Sequence, residues 1–252
     1  MQQLGHRVGG VLVIDRRDFV PNYFAPSYRR GQHVTILGKT GCGKTQLGYD
    51  LVDAVATPQL PALNMVIKPE DETVKYYART LDMPRVRAWP LAPNPFRRKT
   101  RGYTVWPPPT FDPDMDDELL YWTHRAVILD SYKRGRRILV ADEVVDLAEL
   151  STVINGKVHT LKKPLEAVWK RGRSMGCGLW AFTQRPSGMS YHGYSAPEHM
   201  FIAYDPDHRT RKRYDEIGGV DSGLVQNVVR QLPEFHFMYL QRSTGTYCVV
   251  SA

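Results

Sequence analysis

The chain has 252 residues, of which 42% are apolar and 24% charged, the proportions of a soluble protein that buries a real core and the length of one α/β domain with a modest appendage. Thirty-four Lys and Arg against 26 Asp and Glu leave a formal charge of +8, which points to a polyanionic partner or to a solvated basic face. Cys42, Cys177 and Cys248 are far apart and lack metal-ligand spacing, no apolar run approaches the roughly 18 residues of a membrane span, and MQQLGHRVGG has no signal-peptide core, so the expectation is a reducing, cytoplasmic setting without a membrane segment.

In chain order, the first predicted strand is His33 to Leu37. It runs directly into GKTGCGKT, Gly38 to Thr45, and then into a helix on which Leu47, Leu51 and Val55 recur at i, i+4 and i+8. Strand, glycine-rich loop and helix in that order are the setting a Walker A loop requires. Gly38, Gly41 and Gly43 let the backbone curl so that its amides converge, and the helix amino end adds positive potential to the anion site. Lys44 reaches the β and γ phosphates and the Thr45 hydroxyl binds Mg2+. Gly38, Lys39, Thr40, Gly41, Cys42, Gly43, Lys44, Thr45 and Gln46 therefore form the candidate nucleotide site, with Lys39 and Cys42 read as tolerated variable positions.

A second buried strand is expected at Met65 to Ile67, and the prolines between Pro84 and Pro113 mark a surface excursion. Leu119, Trp122, Ala126 and Leu129 keep a helical stripe, and Ile138 to Ala141 reads as a strand ending at Asp142 and Glu143. Asp142 suits a Mg2+ contact and Glu143 a general base. Asp130 and Asp15 also end apolar runs, but neither is followed by a second carboxylate. Further strands are expected at Leu179 to Thr183 and Met200 to Tyr204. Phe235 to Leu240 and Thr246 to Val250, flanking RSTG, read as a hairpin at one sheet edge. Strands alternating with helices predict a mostly parallel sheet with ligands at the carboxyl ends of its strands.

The run RGRSMGCGLWAFTQRPSGMS, Arg171 to Ser190, taken with GKTGCGKT and LVADE in the same order, resembles the FtsK/HerA superfamily of DNA-pumping ATPases over roughly Gly31 to Val250. The resemblance implies an α/β P-loop NTPase fold of the additional-strand, RecA-like type, with helices flanking a mostly parallel sheet and a C-terminal β-hairpin. It implies one motor domain over 1–252, with 1–30 as lead-in and 31–252 as core. In that family the glutamine-bearing strand lies between the Walker A and Walker B strands, which makes Gln184 a γ-phosphate sensor. The plainer alternative is a glutamine capping the turn before Pro186. A basic helix before that strand supplies a trans-acting arginine in the family, matched best by Arg173 and next by Arg171, and this implies a homo-oligomeric ring, a pentamer or hexamer. Without an added barrel, membrane segment or tail, the chain looks most like the minimal viral genome-packaging ATPases. ATP and Mg2+ are the implied cofactors, double-stranded DNA the implied partner, a capsid or portal component a further one, and host cytoplasm the setting if the chain is viral.

Four basic stretches are candidates for phosphate contact: Arg97, Arg98, Lys99 and Arg101; Lys133, Arg134, Arg136 and Arg137; Lys157, Lys162 and Lys163; Arg209, Arg211, Lys212 and Arg213. A motor indifferent to sequence grips phosphates. The expected loop from Leu150 to Lys163 follows the Walker B strand and is the first choice, with Arg97 to Arg101 second. The Lys133 group also reads as a helix terminus whose cations offset the dipole. Other readings of the chain are another FtsK/HerA-type or conjugation-type motor, a P-loop kinase, or an assembly ATPase that does not move.

Overall fold

The computed structural model describes residues 6–96 and 98–251. Its strands are β1 (Arg7–Val8), β2 (Val11–Asp15), β3 (Val34–Leu37), β4 (Ala62–Met65), β5 (Arg85–Val86), β6 (Gly102–Val105) and β7 (Arg137–Ala141). They continue with β8 (Ser151–Ile154), β9 (Lys157–Thr160), β10 (Cys177–Thr183), β11 (His199–Ala203), β12 (Phe237–Gln241) and β13 (Thr246–Ser251). The described residues divide into two compact units, one formed by 6–28, 33–54 and 182–251, the other by 29–32 and the described part of 55–181.

In the first unit the strand order is β1-β2-β13-β12-β11-β3. β3 pairs in parallel with β11 and β2 with β13, while β12 is antiparallel to both β11 and β13. The expected terminal hairpin is present as β12 and β13. It is not an edge, because β2 covers β13, with Val249 opposite Val13. Residues 16–28 pack aromatic rings onto this sheet: Phe19 lies 4.7 Å from Tyr239, and Phe24 5.1 Å from His199. Phe19 and Phe24 are fully buried, and burying each contributes about 2–3 kcal/mol. The helix Lys44–Val55 buries Leu47 and Leu51 as their spacing predicts, whereas Val55 is only half-buried and Val52 is buried in its stead. Gly48 brings this helix close to the sheet, since a Cβ there would meet the Phe182 ring at 2.3 Å.

In the second unit residues 177–181 of β10, then β7, β4, β6 and β5, are all parallel, while Phe182 and Thr183 at the end of β10 belong to the first unit. Every residue of β10 is buried, as are Ile138 to Ala141 of β7, which is why both read as continuous apolar runs and not as alternating ones. The mostly parallel sheet with flanking helices is the fold class the sequence implied. Two strands differ in detail. The strand expected at Met65 to Ile67 is β4, shifted toward the amino end, because its pairing with β6 and β7 recruits Ala62 to Asn64. The proline-rich excursion is interrupted by β6, which joins the sheet and buries Thr104 and Val105.

The helix Pro113–Arg134 starts at an Asp112 cap whose side chain accepts from the Asp114 and Met115 amides, and ends at Gly135. Its expected apolar stripe faces the wrong way: Leu119, Trp122 and Leu129 are 36%, 43% and 39% exposed. Tyr121, His124, Val127, Ile128 and Ser131 form the buried face instead. Both faces carry large apolar groups, so periodicity alone does not choose between them. His124 hydrogen-bonds through Nε2 to the Val66 carbonyl at 3.1 Å, and burial pushes its pKa down to about 4.

Candidate functional site

Within the first unit, β3 ends at Leu37, the chain turns through Gly38 to Gly43, and the helix starts at Lys44. The glycines are required for two different reasons. Gly41 and Gly43 hold φ of +79° and +89°, left-handed values that glycine alone adopts without strain. At Gly38 the constraint is space, since a Cβ would lie 2.6 Å from the Ala203 Cβ and 2.7 Å from Cys42 Sγ. Any side chain at these positions would fill or distort the cradle. Lys44 is buried, and its Nζ donates to the Lys39 carbonyl at 2.9 Å, so the ammonium is held on the loop. Cys42 is also buried, and burial raises its thiol pKa, which leaves it an inert packing group.

Gln184 meets this loop. The Thr40 hydroxyl donates to Gln184 Oε1, and the Gly38 amide donates to the Thr183 carbonyl at 3.2 Å. The segment beyond Gln184 is then anchored from outside. Tyr194 donates its hydroxyl to the Pro186 carbonyl at 2.7 Å. Arg213 donates to the carbonyls of Met189 at 2.6 Å and Ser187 at 2.9 Å, stacks 4.5 Å from the Tyr194 ring and pairs with Glu216 at 2.9 Å. Arg213 is thus committed inside the fold, and Arg211 donates to the Asp205 carbonyl. Arg211 and Arg213 are half-buried, while Arg209 and Lys212 of the same stretch are exposed. The loop also borders a cleft of about 310 Å³ shared by Lys39, Tyr204 and Phe235.

Within the second unit, β7 delivers Asp142 and Glu143 at its carboxyl end, just ahead of the helix Val144–Glu149. Glu143 is 7% exposed and does not cap that helix. Asp142 faces the Lys68 ammonium at 3.4 Å, and Lys68 reaches Asp71 at 3.0 Å. Burial works against the Lys68 charge, but Asp142 and Asp71 outweigh it and raise its pKa. Lys68 belongs to no motif in the sequence; its position just past the end of β4, the strand next to β7, is the signal that marks it. The rival carboxylates have structural partners. Asp15 caps the helix Arg16–Phe19, and its hydrogen bonds with the Arg17 side chain and amide lower its pKa to about 2. Asp130 receives Arg134 at 2.6 Å, Arg137 at 2.7 Å and the Trp89 indole at 3.1 Å.

Arg171 and Arg173 are exposed near the carboxyl end of the helix Lys162–Met175, Arg173 in its last turn, and β10 follows directly. That helix end is fixed on Gly31, where a Cβ would lie 2.8 Å from the Arg173 carbonyl oxygen. The expected loop from Leu150 to Lys163 is in fact a hairpin, with β8 and β9 paired antiparallel around Asn155 and Gly156. Both turn residues have positive φ, +50° and +71°, the signature of a type I′ turn that Asn-Gly favours. Lys157 is exposed on β9, and Lys162 and Lys163 are exposed at the start of the following helix. Val153 and Val158, a cross-strand pair, are 66% and 70% exposed. Of the other stretch, Arg97 lies outside the described residues, Arg98 pairs with Asp82 at 2.9 Å, Lys99 is exposed and Arg101 donates to the Ala56 carbonyl.

No protein-family model matches the chain, and no curated protein matches it in sequence. Solved structures do share its fold. The DNA-packaging ATPase B204 of Sulfolobus turreted icosahedral virus aligns with a TM-score of 0.58 at 15% identity over 88% of this chain and 98% of that one. B204 of Sulfolobus turreted icosahedral virus 2, a genome-packaging NTPase solved with ATP-gammaS, gives 0.57 at 15% identity over the same shares. VirB4 of Thermoanaerobacter pseudethanolicus gives 0.59 at 11% identity over 87% of this chain and 88% of that one. The fold expected from the FtsK/HerA resemblance is therefore the fold found.

Proposed function

We propose that this chain hydrolyses ATP at the Gly38–Gln46 loop and uses the energy to move double-stranded DNA, as a homo-oligomeric ring that packages a viral genome. The observation that carries the reading is the Thr40 to Gln184 hydrogen bond, which joins a strand-end glutamine to a loop in which Gly38 has no room for a side chain and Gly41 and Gly43 hold positive φ. A sensor has to lie within reach of the terminal phosphate, and a glutamine hydrogen-bonded to the phosphate loop meets that requirement. Lys44 and the loop amides hold the phosphates. Thr45 and Asp142 would hold Mg2+, a metal that takes few protein oxygens and keeps the rest of its shell for water and phosphate; when bound it neutralises charge on the β and γ phosphates. Glu143 takes the proton of the attacking water. Lys68 keeps Asp142 oriented, and Arg173 serves the neighbouring subunit's nucleotide.

For the track, the hairpin and the helix start after it are favoured over the other basic stretches. Lys162 and Lys163 occupy a helix amino end with no acidic residue in its first turn, where cations oppose the helix dipole at a cost of about 0.3–1 kcal/mol each. An anionic partner at that end removes the conflict, and a DNA phosphate supplies one. The likeness to DNA- and genome-packaging enzymes supports DNA as the track.

The test separates binding from chemistry. Lys44→Ala is expected to abolish ATP binding, while Glu143→Gln retains binding and lowers turnover by roughly 10²- to 10⁴-fold. Nucleotide binding by calorimetry and phosphate release measured on the same preparations check this. Normal turnover in Glu143→Gln would remove the general-base assignment.

A further inference from the structure

The cleft beside the Gly38–Gln46 loop has features that phosphate binding leaves unused. Lys39 and Cys42 of the loop form one wall, so the space opens where the phosphate cradle ends. Tyr204, just past the end of β11, and Phe235, on the turn before β12, supply two aromatic rings. Lys39 Nζ lies 5.9 Å from the centre of the Tyr204 ring, and Phe235 reaches back to the loop, its ring 3.4 Å from where a Gly43 Cβ would stand. At about 310 Å³ the cleft is at the small end of ligand sites, a size for one nucleoside and not for a polymer.

Phe235 is the informative residue. Its φ is +58°, a left-handed conformation that costs a bulky L-residue free energy and that recurs at ligand clamps. Yet Phe235 is 45% exposed, so the strained backbone is not offset by burying the residue in the core. The turn is held by the His236 amide donating to the Pro233 carbonyl at 3.3 Å and by His236 Nδ1 at 2.9 Å from the Glu234 carbonyl. A turn fixed in this way presents an aromatic face toward the loop and leaves it partly in water.

We infer that Tyr204 and Phe235 form the base end of the nucleotide site, stacking on a purine while Lys39 spans between the base end and the phosphates. The inference rests on the nucleotide reading above and extends it to substrate selection. Stacking reads ring area more than the base edge, because every base has a π face. Purine triphosphates therefore bind more tightly than pyrimidine triphosphates, and much of the ATP affinity is lost with the rings.

Binding to the full-length protein is measured by calorimetry with Mg2+ and four probes: ATP, GTP, CTP and inorganic tripolyphosphate. The protein is compared with a Tyr204→Leu/Phe235→Leu double variant and with Phe235→Tyr. Leucine keeps bulk, and its cost at a positive φ is similar, so stacking is the main change. The expected result is ATP and GTP about tenfold tighter than CTP, a roughly ten- to hundredfold loss of ATP affinity in the double variant, unchanged tripolyphosphate binding, and retained ATP affinity in Phe235→Tyr. CTP binding as tightly as ATP, or a double variant that loses tripolyphosphate as much as ATP, would overturn the inference while leaving the phosphate loop in place. Binding of neither ATP nor tripolyphosphate to the unaltered protein would overturn the nucleotide reading and this inference with it.

Discussion

Arg134 and Arg137 close on Asp130 at the carboxyl end of the Pro113–Arg134 helix, whereas Lys162 and Lys163 open the Lys162–Met175 helix at its amino end, with no acid in the first turn. In the first region the dipole, the carboxylate and the Trp89 ring, 5.4 Å from the Arg137 guanidinium, all favour the cations, and a structural role accounts for them. In the second, the dipole opposes the cations and the side chains stand in water. Two stretches of similar composition thus differ in whether the fold itself explains their charge, and the unexplained one is where an anionic partner is expected.

The largest effect that would separate the two regions is on DNA affinity. Replacing Lys157, Lys162 and Lys163 by Ala is expected to flatten the plot of log affinity for duplex DNA against log salt by about 0.9 for each phosphate no longer neutralised. A ring gripping about six phosphates loses on the order of a thousandfold in affinity between about 50 and 200 mM salt, so the change in slope is measurable by fluorescence anisotropy. The matching change of Lys133, Arg134 and Arg136 to Ala leaves the slope as it was. Equal slopes in the two variants would erase the distinction.

The reverse asymmetry is expected in stability. Asp130→Ala strands two guanidinium groups and the Trp89 indole, and is expected to cost about 1–3 kcal/mol in urea unfolding, while Lys162→Ala costs nothing measurable. The pH dependence carries the same sign. Burial raises the Asp130 pKa, but the hydrogen bonds from Arg134 and Arg137 outweigh it and lower it below the ordinary carboxylate range. Its stabilisation is therefore present above the ordinary carboxylate pKa and is lost as pH falls through the depressed one. Unfolding curves of the protein and of Asp130→Ala should converge as pH drops below about 4. The smallest effect is also the most specific: Lys162→Glu removes a cation from a helix amino end and adds an anion, so it is expected to stabilise the protein by about 0.6–2 kcal/mol while weakening DNA binding. A substitution that raises stability and lowers affinity is the mark of a residue placed for a partner.

What the sequence made legible was local chemistry. The Gly38–Thr45 loop and the Asp142–Glu143 pair are contiguous motifs whose flanking strands read as apolar runs, and the structure has β3 and β7 there. The shared fold was legible through Gln184, because Thr-Gln-Arg-Pro follows an apolar strand. The contact between Thr40 and Gln184 was not, since 144 residues separate them and only the folding of β10 brings them together. The Pro113–Arg134 helix is legible in the sequence but its buried face is not, since Tyr121 and His124 occupy that face while Trp122 and Leu119 lie outside. The β8–β9 hairpin carries a turn signal, Asn155-Gly156 between Thr-Val-Ile and Lys-Val-His, but the residues around it do not alternate between apolar and polar as a half-buried strand does. Its burial explains that pattern, as β9 is exposed throughout and β8 is at most half-buried.

ATP turnover by the purified full-length chain, with and without linear duplex DNA at about 50 mM salt where phosphate binding is strongest, bears on motor function without intermediate assumptions. Turnover that rises with added duplex, independently of its base sequence, and disappears in Glu143→Gln is the result expected of a DNA-translocating ATPase. Turnover that is dependent on Glu143 yet indifferent to DNA would leave an ATPase with no track and contradict the motor reading.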